Sequence, residues 1–415
     1  MNRLLPVTLS VLLLAACSPA VKTPGVEVKG STAREMGPDT SDVATLASEN
    51  SDFSFDFLRT VDAQAPGNEV VSPWSLQVVM AQVYDGAAGD AKTAIASTFG
   101  WDLADDALNA AFDASDLDVT GHDDASADPP VVVTTTNQIF VANGYDLGAD
   151  WLNTLSGWYG TGVQQMDFVG DPAGTADDIN AWIADRTGDH IKDLVTSDVI
   201  SNSKMLLANA LYFNAAWELP FDASNTKDAP FTLADGSVVN VPTMNGSVVV
   251  DGYQADGFFV ADMPYSDPGL TMTIVLPDAG QFDAVLAGLN DATLSAAIAA
   301  EYPCSECSVA LPKFEVSSKP DVTGALTTLG MGAAFWGDYS PINPELTLAQ
   351  VEQEGFVSVS ENGTEAAAAT VAEFTDGAIE EPPFGPIVVD RPFLWLVREP
   401  TSGAVLFAGV VRDPR

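Results

Sequence analysis

At 415 residues, with 47% apolar side chains and 58 acidic against 16 basic ones, the chain can build a full core and carries a formal net charge of −42. The charge therefore belongs to the surface, and it argues against nucleic acid or an anionic membrane face as partner. Length alone leaves room for two or three domains. A surface poor in Lys and rich in Asp suits work in salt, where counter-ions screen self-repulsion; an acidic face for a cationic partner is the alternative.

The chain opens with a short positive start at Asn2-Arg3. An apolar run from Leu4 to Leu14, too short to cross a bilayer, leads to the small-residue site Leu14-Ala15-Ala16-Cys17. This is similar to a bacterial lipoprotein signal, which implies removal of residues 1–16 and lipid on Cys17. An ordinary secretory signal that happens to contain a Cys is the other reading. The protein is expected to be exported, lipid-anchored in the cell envelope or extracellular, and to meet a membrane only through that anchor. Residues 17–48, which mix Pro, Lys, Gly, Ser, Thr and Glu without an apolar period, read as a flexible tether ahead of a domain spanning 49–415.

Within the domain, the Phe-rich run Asp52–Leu58 predicts an opening helix. Ser72 and Ser75, in Ser-Pro-Trp-Ser, stand where hydroxyls would cap a helix or donate inside the core. Residues 112–130 carry six Asp without periodicity and read as a solvated loop. Val131–Val141, β-branched and alternating, predicts a strand; the stretch to Val195, with Trp151, Trp158 and Trp182 at apolar positions, reads as mixed helix and strand. Met205–Phe213 is the longest buried-strand signal, and it runs into Asn209-Ala210-Leu211-Tyr212-Phe213-Asn214-Ala215-Ala216-Trp217. Phe356–Ser360 alternates as a strand. Asp390–Leu396 and Val405–Val411 read as the arms of a hairpin turned at Thr401-Ser402-Gly403.

After Ser360 comes Glu361-Asn362-Gly363-Thr364-Glu365-Ala366-Ala367-Ala368-Ala369-Thr370. Helix propensity allows a short helix capped by Thr364, which would be marginal in water with nothing to pack on. As an extended segment it has two faces of almost no bulk. Thr364, Ala366, Ala368 and Thr370 point one way and Glu365, Ala367 and Ala369 the other, small enough to slip between two existing strands.

Catalytic chemistry has little to work with. The chain holds two histidines, His122 in the acidic loop and His190 in a predicted exposed turn, which argues against a Ser-His-Asp or Cys-His site. No nucleophile elbow, phosphate loop or His-rich metal motif stands out, so neither cofactor nor metal is expected. Cys304-Ser305-Glu306-Cys307 reads as a small local disulfide, because a redox centre or zinc half-site would want surroundings or ligands that are not visible. So short a loop should add little entropy-based stability.

The run Glu361–Thr370 resembles the hinge of the reactive-centre loop of serpins, whose inhibitory members carry Glu-x-Gly-Thr-Glu-Ala-Ala-Ala-Ala-Thr. Order-preserving matches extend from about Asn50 to the C-terminus: Ser72-Pro73-Trp74-Ser75, Gly86–Gly89, Thr187–Leu194, Asn209–Trp217, Asp228–Phe231, Val241–Met244, Leu311–Val316 and Leu329–Phe335. The resemblance implies an α+β fold with a large central mixed sheet, further sheets, eight or nine helices and an exposed loop at about 361–389. It places Ser72, Ser75 and Asn209 in the shutter, where the central strands part, and Trp217 in the breach, where the loop enters. Gln353 stands where many serpins have a His that bonds the shutter Asn; an amide donates and accepts there without titrating, so this shutter should be insensitive to pH near neutrality.

The resemblance also implies a function. The chain would be no enzyme but a monomeric suicide-substrate inhibitor, trapped in a covalent complex with a serine or cysteine protease; a non-inhibitory serpin, acting as a binding or structural envelope protein, is the alternative. Counting along the loop from Glu361 as the family does reaches Gly377-Ala378 as the scissile bond, with Asp376-Gly377 and Phe374-Thr375 still open.

Overall fold

The computed structural model describes residues 22–34, 36–37, 39–124, 130–364 and 382–415. It departs from the expected tether at once. β1 (Val26–Val28) lies antiparallel on residues 163–165, Lys29 Nζ donates to Gly160 O over 2.6 Å, and Ser31 N donates to Asn153 Oδ1 over 2.8 Å. Arg34 then reaches both Asp113 and Asp116 at 2.7 Å, the Asp113 side chain being fully buried. Residues 22–34 form a strap on the domain. It is held by backbone pairing, by the Lys29 and Arg34 side chains and by the bond from Ser31 to Asn153, none of which leaves an apolar period to read. α1 (Val43–Gln64) also starts ahead of the boundary expected at residue 49, and buries Leu46, Phe53, Phe57, Leu58 and Val61.

β2 (Glu69–Val71) leads into α2 (Pro73–Tyr84), which is buried on every side and opens with Pro73, whose missing N–H is not needed there. α3 (Gly89–Phe99) and α4 (Asp105–Gly121) follow. The stretch expected as a solvated acidic loop is therefore helical as far as Gly121. Its inner face hides carboxylates that meet Arg34, which is why no apolar rhythm shows.

β3 (Val132–Ala142), α5 (Ala149–Trp158), β4 (Val163–Met166), α6 (Pro172–Arg186), α7 (Ser197–Asn202) and β5 (Met205–Ala216) complete the first half. The strand expected at 131–141 coincides with β3, and the buried run 205–213 with most of β5. Then come β6 (Lys227–Thr232), β7 (Val238–Gln254), β8 (Phe258–Pro264), β9 (Thr271–Pro277), α8 (Phe282–Gly288), α9 (Asp291–Ile298), β10 (Tyr302–Pro312), β11 (Phe314–Ser318) and α10 (Val322–Thr328). β12 (Leu348–Ser360), β13 (Gly363–Thr364), β14 (Ile387–Val388), β15 (Phe393–Glu399) and β16 (Ala404–Val411) close the chain, the last two as the expected hairpin.

Among the described residues, seven strands form a central mixed sheet in the order β1-β4-β3-β5-β13-β12-β11. The second sheet runs β14-β10-β7-β8-β9-β15-β16-β2, with β6 paired to β7. α2 packs on β3 and β5 of the first sheet and on β16 of the second, so its all-round apolar surface sits at the centre of the core. This is the expected α+β architecture, with ten α-helices among the described residues where eight or nine were anticipated.

Candidate functional site

β5 and β12 are parallel neighbours from Met205 to Ala210 and from Leu348 to Glu354. Above that point they part, and β13 enters between them, antiparallel to both. Gly363 pairs with Ala216 and Ser360, and Thr364 with Ala215 and Val359. Thr364 is therefore a strand residue and not the cap of a helix. The turn back from β12 is fixed by Trp217 N, which donates to Asn362 O, and Phe221 N, which donates to Glu361 O, both over 2.9 Å.

Gly363 is required by its surroundings. Its φ of 148° disfavours any side chain, and a Cβ there would lie 2.1 Å from Ala215 O. The Glu361 carboxylate accepts from Thr226 Oγ1 and Lys313 Nζ, each at 2.8 Å. Burial pushes its pKa up, but the bonds from Lys313, its own backbone and Thr226 outweigh burial and hold it below the usual range.

Thr364 is 1% exposed, and its hydroxyl lies 2.7 Å from Tyr265 OH. The Tyr265 ring stacks on Trp217 with centroids 4.8 Å apart, and Trp217 Nε1 donates to Ser360 O over 3.0 Å. Trp217 thus touches both borders of the opening: its own chain continues β5, and its indole holds the end of β12.

Six residues below Val359 and Ala215 on the two strands, the predicted shutter residues meet. Gln353 Oε1 accepts from Ser72 N at 3.1 Å, while its Nε2 donates to Ser72 O at 2.8 Å and to Asn209 Oδ1 at 2.5 Å. Asn209 Nδ2 donates to Ser75 Oγ and Asn137 Oδ1, both at 2.7 Å, and Ser75 Oγ donates to Asn137 Oδ1 at 2.6 Å. Ser72 Oγ donates to Leu406 O at 2.8 Å, so neither serine hydroxyl caps α2 and the capping alternative falls away. Asn137 was not anticipated. The signal was present, an amide in the middle of a β-branched strand, where Asn is disfavoured unless it has a partner.

Cys304 and Cys307 are joined as a disulfide inside β10, at the step where its register on β7 shifts by one residue. The predicted lipidation site Cys17, the hinge residues Glu365, Ala366, Ala367, Ala368, Ala369 and Thr370, and the scissile candidates Phe374, Asp376, Gly377 and Ala378 lie outside the described residues.

The sequence model of the serpin (serine protease inhibitor) family matches residues 48–414. A serpin-like protein of Thermococcus kodakarensis is 30% identical over 367 residues, which cover 88% of this chain and 84% of that protein. The leukocyte elastase inhibitor of Bos taurus is 29% identical, with 89% of this chain and 99% of the inhibitor covered. Among solved structures, human thyroxine-binding globulin in complex with thyroxine superposes with a TM-score of 0.78 at 25% identity, over 90% of this chain and all of that one. With a match over most of its length, a hinge seated between two central strands and the buried amide cluster beneath it, the chain belongs to the serpin family.

Proposed function

We propose that this serpin is an inhibitory member, a suicide substrate of serine or cysteine proteases outside the cell. One observation carries the reading: the slot opened by β13 has the same register on both sides. A strand continuing below Thr364 descends one residue at a time past Val359 on β12 and Ala215 on β5. Gln353 lies six residues below Val359, and Asn209 six below Ala215, so the sixth new residue arrives between the two residues that the parallel ladder already pairs. As far down as Gln350 and Leu206, above the register shift at Leu348, a strand can replace direct contact between β5 and β12 without slip or bulge.

In this reading the protease's Ser or Cys attacks a loop carbonyl at Gly377-Ala378, or at the bond after Asp376 or Phe374. The amine side of that bond departs, and the acyl-enzyme remains attached to the hinge side. The freed hinge, Glu365 to Thr370 first, then fills the slot. Each inserted residue adds ladder hydrogen bonds worth about 1 kcal/mol net apiece, and together these drive the attached protease across the molecule. The Ser72–Gln353–Asn209–Ser75 cluster is the latch that parts. Lipid on Cys17 would hold the inhibitor at the cell envelope, upstream of the strap.

A second reading has support from the fold of thyroxine-binding globulin, whose structure holds a small ligand. There the chain would be a non-inhibitory binding or envelope protein. Mixing the protein with a panel of serine and cysteine proteases decides between them. An SDS-resistant complex, with a C-terminal peptide released from residues 373–380 onward, is expected; simple cleavage or no reaction with every protease would favour the binding protein.

A further inference from the structure

Beyond the hinge and the amide cluster, one side chain from outside the central sheet touches both borders of the slot. After α6 the chain turns through Gly188 at φ 57° and Asp189 at φ 67°, a left-handed pair whose second member is not glycine. Asp189 N donates to Ala184 O at 2.8 Å, and His190 N to Thr187 O at 3.0 Å. Thr187, itself 1% exposed, pins the base of the turn: its Oγ1 donates to Ile183 O at 2.9 Å and accepts from Ile191 N at 3.2 Å. A strained residue held this firmly gives the next side chain one direction. The His190 ring lands on Phe356 of β12, with centroids 4.2 Å apart and planes 20° apart. The same ring lies 6.0 Å from Tyr212 of β5, at 14°.

The location matters more than the contact. Tyr212 and Phe356 stand two residues above Ala210 and Glu354, the last directly paired residues of the two strands. Ala215 and Val359, the partners of Thr364, stand three residues higher still. Among the described residues, neither ladder spans the interval between those levels. His190 bridges it from the outer face.

We infer that His190 is a positioning residue for strand insertion: its ring, stacked on one aromatic from each border, ties β5 to β12 across the unpaired interval and must release at least one of them as a strand passes beneath. The consequence for inhibition rests on the inhibitory reading, whereas the effect on the sheet does not. Releasing one aromatic stack should slow insertion by about two- to tenfold.

The test uses the intact protein and a synthetic peptide with the sequence of residues 365–377, whose uptake into the sheet is followed by native gel and Trp fluorescence. His190→Ala should take the peptide up about two- to tenfold faster than the parent, and His190→Phe, which keeps a flat ring, should stay within about twofold of it. A role confined to general stability would instead lower the melting temperature and speed uptake together in both variants. Equal or slower uptake by His190→Ala overturns the inference and leaves the inhibitory reading untouched. Uptake by none of the three proteins overturns it too, and a covalent complex in the protease panel would then still uphold inhibition.

Discussion

Gln353 and Asn209 face each other across the two central strands, with Nε2 of the first 2.5 Å from Oδ1 of the second, and both side chains are buried. Each spends both of its amide donors inside the cluster. Gln353 also grips the backbone N–H and C=O of Ser72, so one amide joins β12, β5 and the start of α2. Gln353→Ala would leave Asn209 Oδ1 and two backbone groups of Ser72 buried without these partners, a loss of about 2–4 kcal/mol. Urea unfolding should show it as a lower midpoint at unchanged slope. The deficit should also be the same at pH 6 and pH 8, because no member of the cluster titrates there.

Arg34 sits in a comparable position for the strap. Burial pushes the Asp116 carboxyl above its ordinary range, and the Arg34 charge partly pulls it back. Arg34→Ala removes that compensation from two carboxylates at once and should destabilise the protein by about 3 kcal/mol at neutral pH. A group whose folded pKa is raised stabilises most below its unfolded value and loses that contribution as pH rises. The variant's deficit should therefore shrink as pH falls toward 4, in melting curves run beside the parent. A pH-independent deficit would mean that packing of the Arg34 stem, rather than charge, holds the strap.

Asp85 offers a cleaner titration. Burial drives its pKa up to about 7, against hydrogen bonding from Asn109 and the charge of Lys92, with Asp105 and Asp106 adding to the rise. Its Oδ1 accepts from Asn109 Nδ2 at 3.0 Å, while Oδ2 is buried without a hydrogen-bond partner among the described residues. The folded pKa lies above the unfolded one, so stability is lost as pH rises from about 4 toward 7, and remains lost above. Asp85→Asn keeps the bond to Asn109 and has no charge to desolvate. It should raise the melting temperature at pH 8 and change it little at pH 4. Equal effects at both would remove the titration from the account.

What could be read from the sequence divides along physical lines. Of the expected hinge, the extended reading holds at Gly363 and Thr364, which β13 keeps in that conformation, and small side chains in the sequence made it legible there. The shutter was legible through Ser72, Ser75, Asn209 and Gln353, since the resemblance supplied their roles and an amide at 353 supplied the chemistry. Asn137 escaped because it reaches the cluster through pairing of β3 with β5, opposite Asn209, and strand register is not visible in composition. The strap and α4 escaped together. Their bond is one Arg against two Asp that are 79 and 82 residues away, in a chain so rich in carboxylates that no acidic pair stands out. His190 looked like an ordinary turn residue for the same reason: its partners, Tyr212 and Phe356, lie on strands that only the folded sheet brings side by side.

Thr364 decides the functional question most directly, because it already occupies the slot in the uncut protein. Its hydroxyl meets Tyr265 OH, whose pKa burial raises, beneath the Trp217–Tyr265 stack, and its side chain has no exit to solvent. An arginine there must either bury an unpaired guanidinium or push β13 out of the sheet, and expulsion is by far the cheaper. Thr364→Arg should then lower the melting temperature of the uncut protein, since the Tyr265 hydroxyl loses its partner and the top of β5 loses its neighbour. With a target protease the larger effect follows. On the inhibitory reading, insertion should slow until water hydrolyses the acyl-enzyme first, so the products should shift from SDS-resistant complex to cleaved inhibitor and free protease. Cutting the loop of the parent should raise its melting temperature, as a hinge becomes a strand, and cutting the variant should raise it far less. If both proteins melt alike before and after the cut, the loop does not insert, and the seat that β13 occupies serves only to tie down the end of β12.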